Sequence, residues 1–146
     1  MHLKTIALDP CVCISTRKAA NALTNLYDEA LAKTGIKITQ YSLMKNIHHS
    51  TEMTINELAK ATKLNRTTLT RNLAILEKEN LIEIASDDDD LRKSIVKLSN
   101  NGQKVLKKAQ ASWEEVQNKT KKVLGKDLNF FIGLNKNLSE LSQGCI

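Results

Sequence analysis

Between Thr54 and Leu98 the apolar spacing changes character within a few dozen residues, and that order of changes restricts the fold more than any other feature of the chain. Thr54 with Glu57 at the third residue after it is a capping-box pattern, and Ile55, Leu58 and Ala59 supply the buried face of a short helix ending near Lys63. Asn65 is a good N-cap, and behind it Leu69, Leu73 and Leu76, spaced four and three apart, make one face of the next helix apolar to about Glu79. Asn80 tolerates the left-handed conformation that ends such a helix. Two short runs rich in Ile, Val and Leu follow at 81–85 and 94–98, separated by the charged loop 86–93, and they predict a β-hairpin with a charged tip. Short helix, tight turn, helix and charged hairpin together are the layout of a winged helix-turn-helix module.

The flanks read as helices. From Val12 to Lys33 the positions Ala19, Leu23, Leu26 and Ala30 recur at steps of four, three and four, and Gly35 closes that helix. Thr39 is placed to cap a second helix from Gln40 to His49, with Tyr41, Leu43, Met44 and Ile47 as its apolar residues. From Asn100 to about Leu124, the residues Leu106, Ala109, Trp113, Val116, Thr120 and Val123 form a stripe alternating three and four, which calls for another helix against it. Gly125 breaks the run, and Leu128, Phe131, Leu134, Leu138 and Leu141 mark a last amphipathic helix. With aromatics at 3% and a single proline, the interior must be built from Leu, Ile, Ala and Val, while 41% hydrophobic content over 146 residues suffices for one core. The expected fold is mainly α with a small β-hairpin wing. The last two helices carry more apolar surface than a small winged domain needs to cover itself, which points to a homodimer.

Projecting the helix after Asn65 at about 100° per residue puts Leu69, Leu73 and Leu76 on one side and Thr67, Arg71, Ala74 and Lys78 on the other. An outward face of hydroxyl, guanidinium, methyl and ammonium suits a major groove: arginine grips O6 and N7 of guanine, threonine bonds or touches a thymine methyl, and helix-start amides attract phosphate. No carboxylate lies among the outward residues of its first two turns. Arg92 and Lys93 stand where a hairpin tip reaches a phosphate or a narrow minor groove. The run Asp87 to Asp90 opposes DNA locally, so Asp90 is expected to orient Arg92 while the other three point to solvent. The expected DNA contacts are Asn65, Arg66, Thr67, Thr68, Thr70, Arg71, Lys78, Asp90, Arg92 and Lys93. A formal charge of +6 and a pI near 9.3 are compatible with a polyanionic partner.

The stretch Leu58-Ala59, then Leu64-Asn65-Arg66-Thr67-Thr68-Leu69-Thr70-Arg71-Asn72-Leu73 and Leu76-Glu77-Lys78-Glu79-Asn80-Leu81-Ile82, resembles the recognition region of the MarR family of bacterial and archaeal regulators. Asp90-Leu91-Arg92 and Val96-Lys97-Leu98-Ser99-Asn100-Asn101-Gly102 resemble that family's wing, an Asp-x-Arg tip followed by a Val-x-Leu-Thr/Ser-x-x-Gly strand exit. The resemblance is strong from Ile55 to Gly102, and the flanking helices agree in number and order. It implies a single domain over 1–146: a winged helix-turn-helix lobe at 36–100, with helical dimerisation regions at 1–35 and 101–146. It further implies a homodimer held by the first and last helices, reading a pseudo-palindromic operator as a repressor and often released by a small phenolic ligand or by thiol oxidation. Two positions depart from the family pattern: Asn80 stands where glycine is common, and Leu91 replaces a frequent basic residue, which would weaken wing contacts.

Other residues suggest further roles. Cys11 and Cys13 open the first helix and Cys145 lies at the far end of the chain, and the family topology brings both termini to the dimer interface. A redox switch is one reading, since a helix N-terminus favours a thiolate; inert thiols in a reducing cytosol are the other. Tyr27, Tyr41, His48 and Trp113 are candidates to line a crevice for a small aromatic effector, although such residues are more often core. His48 and His49 are adjacent and point about 100° apart on a helix, so they do not share a metal without distant partners, and no cofactor is implied. No glycine-rich phosphate loop, HExxH, Gly-x-Ser-x-Gly or acid pair beside a nucleophile is present, so an enzyme is not expected. No apolar run approaches the roughly 18 to 20 residues of a membrane span, and 1–10 lacks the marks of a signal peptide, so the expected location is cytoplasmic. An adaptor that kept the winged fold but lost DNA affinity is the remaining alternative, favoured by the acidic wing and opposed by the basic helix face.

Overall fold

The structure, a computed structural model, describes residues 11–144. The helices are α1 (Val12–Leu31), α2 (Ile38–Ser50), α3 (Ile55–Thr62), α4 (Arg66–Lys78), α5 (Asn100–Leu124) and α6 (Leu128–Gly144), and the strands are β1 (Glu52–Thr54), β2 (Ile82–Ser86) and β3 (Ser94–Leu98). The chain thus has a winged-helix fold, mainly α, and the hairpin β2–β3 forms where the sequence predicts it. The sheet differs from that expectation in one respect. It has three strands in the antiparallel order β1-β3-β2, so β3 is central and Met53 pairs with Val96 on one side while Ile84 pairs with it on the other. A strand of three residues is too short to show a period of its own; it exists because β3 offers it an edge.

The core gathers Leu43, Met44 and Ile47 of α2, Leu58 of α3, Leu69, Leu73 and Leu76 of α4, Val96 of β3, and Leu106 and Ala109 of α5. Capping fixes where the helices of this lobe begin. Thr54 Oγ1 accepts from the Glu57 amide at 3.2 Å while Glu57 Oε2 accepts from the Thr54 amide at 2.8 Å, the reciprocal box the sequence announces. Asn65 Oδ1 accepts from the Thr68 amide at 2.8 Å and starts α4. α2 departs from the expected Thr39 cap: it begins at Ile38, whose amide donates to Asp28 Oδ1 of α1 at 2.7 Å, while the Lys37 amide donates to Gln40 Oε1 at 2.9 Å. An acid distant in sequence thus supplies the cap that local patterning assigns to threonine.

At the other end of α4, Asn80 adopts φ 57°, the left-handed turn expected of it. Its carbonyl accepts from Ser99 Oγ at 2.6 Å, and the Ser99 hydroxyl oxygen in turn accepts from the Gly102 amide at 2.8 Å to cap α5. Gly102 is obligatory here, because a Cβ would fall 1.9 Å from the Leu81 carbonyl oxygen. The turn after α4, the wing and the start of α5 are therefore one tied unit.

The apolar stripe of α1 is only partly used within the chain. Tyr27 and Leu31 are buried and Leu23 half-buried, whereas Ala19 is exposed and Leu26 is 43% exposed. The Tyr27 hydroxyl donates to Gln117 Oε1, joining α1 to α5. On α5 the stripe is covered at Leu106, Ala109 and Val116 but not at Val123, and α6 leaves Phe130, Ile132, Leu134, Leu138 and Leu141 exposed.

Candidate nucleic-acid interface

On α4 the leucines and the polar residues separate as the projection requires. Leu69 and Leu76 are 0% exposed and Leu73 is 3% exposed, while Asn65, Arg66, Thr67, Thr70, Arg71, Ala74 and Lys78 are all exposed. Thr68 is half-buried; its amide is taken by Asn65 and its carbonyl accepts from Asn72 Nδ2 at 2.9 Å, so it belongs to the helix start more than to the outer face. Arg66, Thr67, Thr70 and Arg71 present their groups with no carboxylate among the outward residues of these turns.

The wing tip is a set of nested turns. The Lys93 amide donates to the Asp90 carbonyl at 2.9 Å, closing a turn whose corners are Leu91 and Arg92, and the Asp87 amide donates to the Lys93 carbonyl at 2.9 Å. Asp90 Oδ1 accepts from the Arg92 amide at 3.1 Å and from Arg92 Nε at 3.4 Å, which is the orienting role expected of it. With the Arg92 side chain 94% exposed, that pair adds little stability, but it biases the direction of the guanidinium. Asp88 and Asp89 face solvent, whereas Asp87 is half-buried and accepts from the Asp89 amide at 3.0 Å, so one of the three acids expected in solvent instead braces the loop.

The third strand has a consequence for the interface that the sequence does not announce. By pairing with β3, β1 brings the start of α3 beside the wing base, and a notch of about 320 Å³ forms between Thr54, Asn56, Glu57, Arg66, Arg92, Lys93 and Ser94. Three cations from the two ends of the module thereby share one face with the first turn of α3. The single carboxylate in the notch, Glu57, is held below the usual carboxylate range mainly by its hydrogen bonds from Thr54, with Lys93 and Lys60 adding attraction. Thr54 and Glu57 are legible in the sequence as a helix start but not as neighbours of the wing, and Asn56 carries no sequence signal, since only the β1–β3 pairing joins them to it. On the opposite strand edge Lys97 Nζ meets Glu52 at 2.8 Å, and that bond raises the lysine above its ordinary value; the pair staples the sheet and leaves Lys97 committed.

The expected effector crevice is not one cavity. Tyr41 is buried and stacks on Trp113 with ring centroids 5.7 Å apart and planes at 20°. Burial, then the charge of Glu114, raises its phenol, and its hydroxyl has no partner among the described residues. Tyr27 borders a separate cavity of about 250 Å³ with Leu23, Ile38, Gln117, Leu124 and Phe131. His48 is exposed on a groove of about 530 Å³ beside Gln103, Lys104, Lys107 and Gln110. The four residues lie at different depths because α2 turns its Tyr41 side into the core and its His48 end to solvent. Cys11 and Cys13 are free and exposed at the start of α1, and Cys145 lies outside the described residues. No helix among the described residues is long and apolar enough to cross a membrane.

Comparison with known proteins bears on the whole arrangement. The MarR family model matches residues 36–94, which hold α2, α3, α4 and the hairpin loop. The HTH-type transcriptional regulator YhbI of Bacillus subtilis is 28% identical over 111 residues, covering 75% of this chain and 72% of that protein. Among solved structures, the Mycobacterium tuberculosis transcriptional regulator MosR in complex with DNA is 32% identical, with a TM-score of 0.84, over 93% of this chain and 98% of that one. A mutant MarR of Escherichia coli in complex with operator DNA shares the fold at a TM-score of 0.78, 22% identical over 87% of this chain and 92% of that one.

Proposed function

The chain belongs to the MarR family of transcriptional regulators, and on that premise we propose that it is a sequence-specific DNA-binding repressor acting as a homodimer on a pseudo-palindromic operator. The observation that carries this reading is the division of α4: three leucines bury one side while Thr67 and Arg71 stand free on the other, next to the cationic notch at Arg66, Arg92 and Lys93. Each protomer lays the outer face of α4 in a major groove, where Arg71 bonds guanine in the bidentate manner and Thr67 and Thr70 meet neighbouring base edges or phosphate. Arg92, steadied by Asp90, reaches along the backbone to the adjacent minor groove, and Arg66 and Lys93 face phosphates at the notch. Uncovered apolar residues on α1 and α6 supply the dimer surface, and the two-fold axis sets half-sites about one helical turn apart. Occupied DNA is closed to polymerase.

Binding-site selection from random duplexes tests the reading. A motif with dyad symmetry is the expected outcome, and recovery of unselected sequence defeats it in favour of the adaptor alternative. For an aromatic effector, the cavity at Tyr27 suits one ring between α1, α5 and α6 better than the solvent-exposed groove at His48.

A second reading, thiol-based redox sensing, is favoured by the exposure of Cys11 and Cys13 where α1 begins. Mild peroxide should then produce a disulfide visible by mass spectrometry and change operator affinity together. Unchanged affinity after oxidation would end it.

A further inference from the structure

Leu91 is the one large hydrophobic residue left uncovered on the wing among the described residues, at 80% exposure, and it occupies a corner of the turn whose other corner is Arg92. A leucine so placed has no folding role: it is 80% exposed, and it lies on the wing, apart from the helices α1, α4, α5 and α6 that carry the other exposed large apolar residues. The turn beneath it is fixed by the Lys93 amide to the Asp90 carbonyl at 2.9 Å, by the Arg92 amide to Asp90 Oδ1 at 3.1 Å, and by the Asp89 amide to Asp87 Oδ1 at 3.0 Å. The side chain is therefore presented on a braced loop. Its neighbours Arg92 and Lys93 border the notch that joins them to Arg66 at the start of α4, so the leucine stands in sequence beside the basic part of the module.

We propose that Leu91 is a specificity-determining residue that packs its apolar side chain against the walls of the DNA minor groove beside Arg92, so that the wing reads groove shape and step deformability by contact as well as by charge. The proposal rests on the DNA-binding reading of the preceding subsection. Minor-groove walls are lined by sugar carbons, and leucine is among the apolar side chains that wedge against unstacked steps there. A narrow A·T-rich groove attracts the Arg92 cation, while a flexible pyrimidine–purine step gives room to the Leu91 methyls, so the two corners together favour particular sequences at positions α4 never touches. The hydrophobic contact releases no counterion, and this separates it from a basic residue at the same corner, which would add affinity to any duplex.

The test compares wild type with Leu91→Ala and Leu91→Lys on the motif that wild type selects. Leu91→Ala should bind that motif about 3- to 10-fold more weakly, the scale of burying part of a leucine. Its salt dependence should be unchanged, and its selected motif should be flattened at the wing-facing positions and intact at those under α4. Leu91→Lys should steepen the salt slope by about 0.9 and narrow the gap between selected and random duplexes. Both variants should unfold at the wild-type temperature, since the side chain is exposed. Equal affinity and an identical motif for Leu91→Ala and wild type would overturn the proposal, and so would a change of salt slope in Leu91→Ala. A wild-type protein that selects no motif would instead overturn the DNA reading beneath it.

Discussion

α4 and α6 are both amphipathic helices of similar length, yet one completes its burial inside the protomer and the other does not. The leucines of α4 are 0 to 3% exposed, covered by α2, the sheet and the core, while α6 leaves Phe130 69%, Ile132 57%, Leu134 45%, Leu138 40% and Leu141 59% exposed. A helix whose apolar side is satisfied is free to spend its polar side on a ligand, and that side is where the threonines and arginines are. A helix whose apolar residues stand open has a different need, since an uncovered row such as Leu134, Leu138 and Leu141, spaced four and three apart, leaves water only when another apolar surface meets it. The contrast separates the two regions: α4 has its apolar side satisfied and its polar side free, while α6, with α1, keeps apolar surface uncovered, and on the proposed function the first meets DNA and the second another copy of the chain.

The largest effect should come from the open side. Leu141→Asp places a charge on each of two symmetric surfaces, so the loss is counted twice, and association should weaken by about 3 to 6 kcal/mol per dimer. Sedimentation should show monomers whose helix content is retained. If variant and wild type sediment alike, the uncovered stripe is not the dimer surface and the contrast loses half its meaning. Leu69→Ala should act on the closed side instead. It removes a fully buried leucine where α4 meets the core, at a cost of about 2 to 5 kcal/mol in unfolding free energy by denaturant titration. An equal loss from an exposed residue such as Thr70→Ala would show that burial does not distinguish the two faces of α4.

Arg71→Ala probes the polar face without touching the leucines. It should cost about 1 to 3 kcal/mol on the selected operator, relax preference at a guanine, and leave the unfolding curve in place. The same loss on operator and on random duplex would reduce Arg71 to a phosphate contact and sharpen the question of which side chain reads bases.

Much of this contrast is legible in the sequence, because it depends on local patterns. The cap residues Thr54 and Asn65, the leucine spacing of α4 and the left-handed Asn80 each act within a few residues, so their signals survive without the fold. What escapes is whatever depends on a partner far along the chain. Asp28 supplies the cap expected of Thr39 because packing brings α1 beside the start of α2. β1 is three residues long and becomes a strand only through β3, and with it comes the notch that joins α3 to the wing. Tyr27, Tyr41, His48 and Trp113 do not share one cavity of the protomer for the same reason: helical position groups residues by face, but the depth of each is set by what lies opposite. On α1 the stripe Ala19, Leu23, Leu26 and Ala30 is evenly spaced, yet the core takes Tyr27 and Leu31 and leaves Leu26 exposed, since α5 meets the helix off the centre of that stripe.

The smallest expected effect lies in the notch, and it measures how closely the wing and α4 act as one face. Lys93 is one of three cations there, and Glu57, whose carboxyl it helps keep ionised, is the only acid. If Lys93 neutralises one phosphate, Lys93→Ala should reduce the slope of log affinity against log salt by about 0.9 and weaken selected and random duplexes alike. If Glu57 already holds the ammonium, the reduction will be smaller, and Glu57→Gln should restore it by freeing the lysine while loosening the start of α3. An unchanged slope in Lys93→Ala on both the wild-type and the Glu57→Gln background would take the wing base out of the DNA interface, leaving α4 and the wing tip to account for all of the electrostatic attraction.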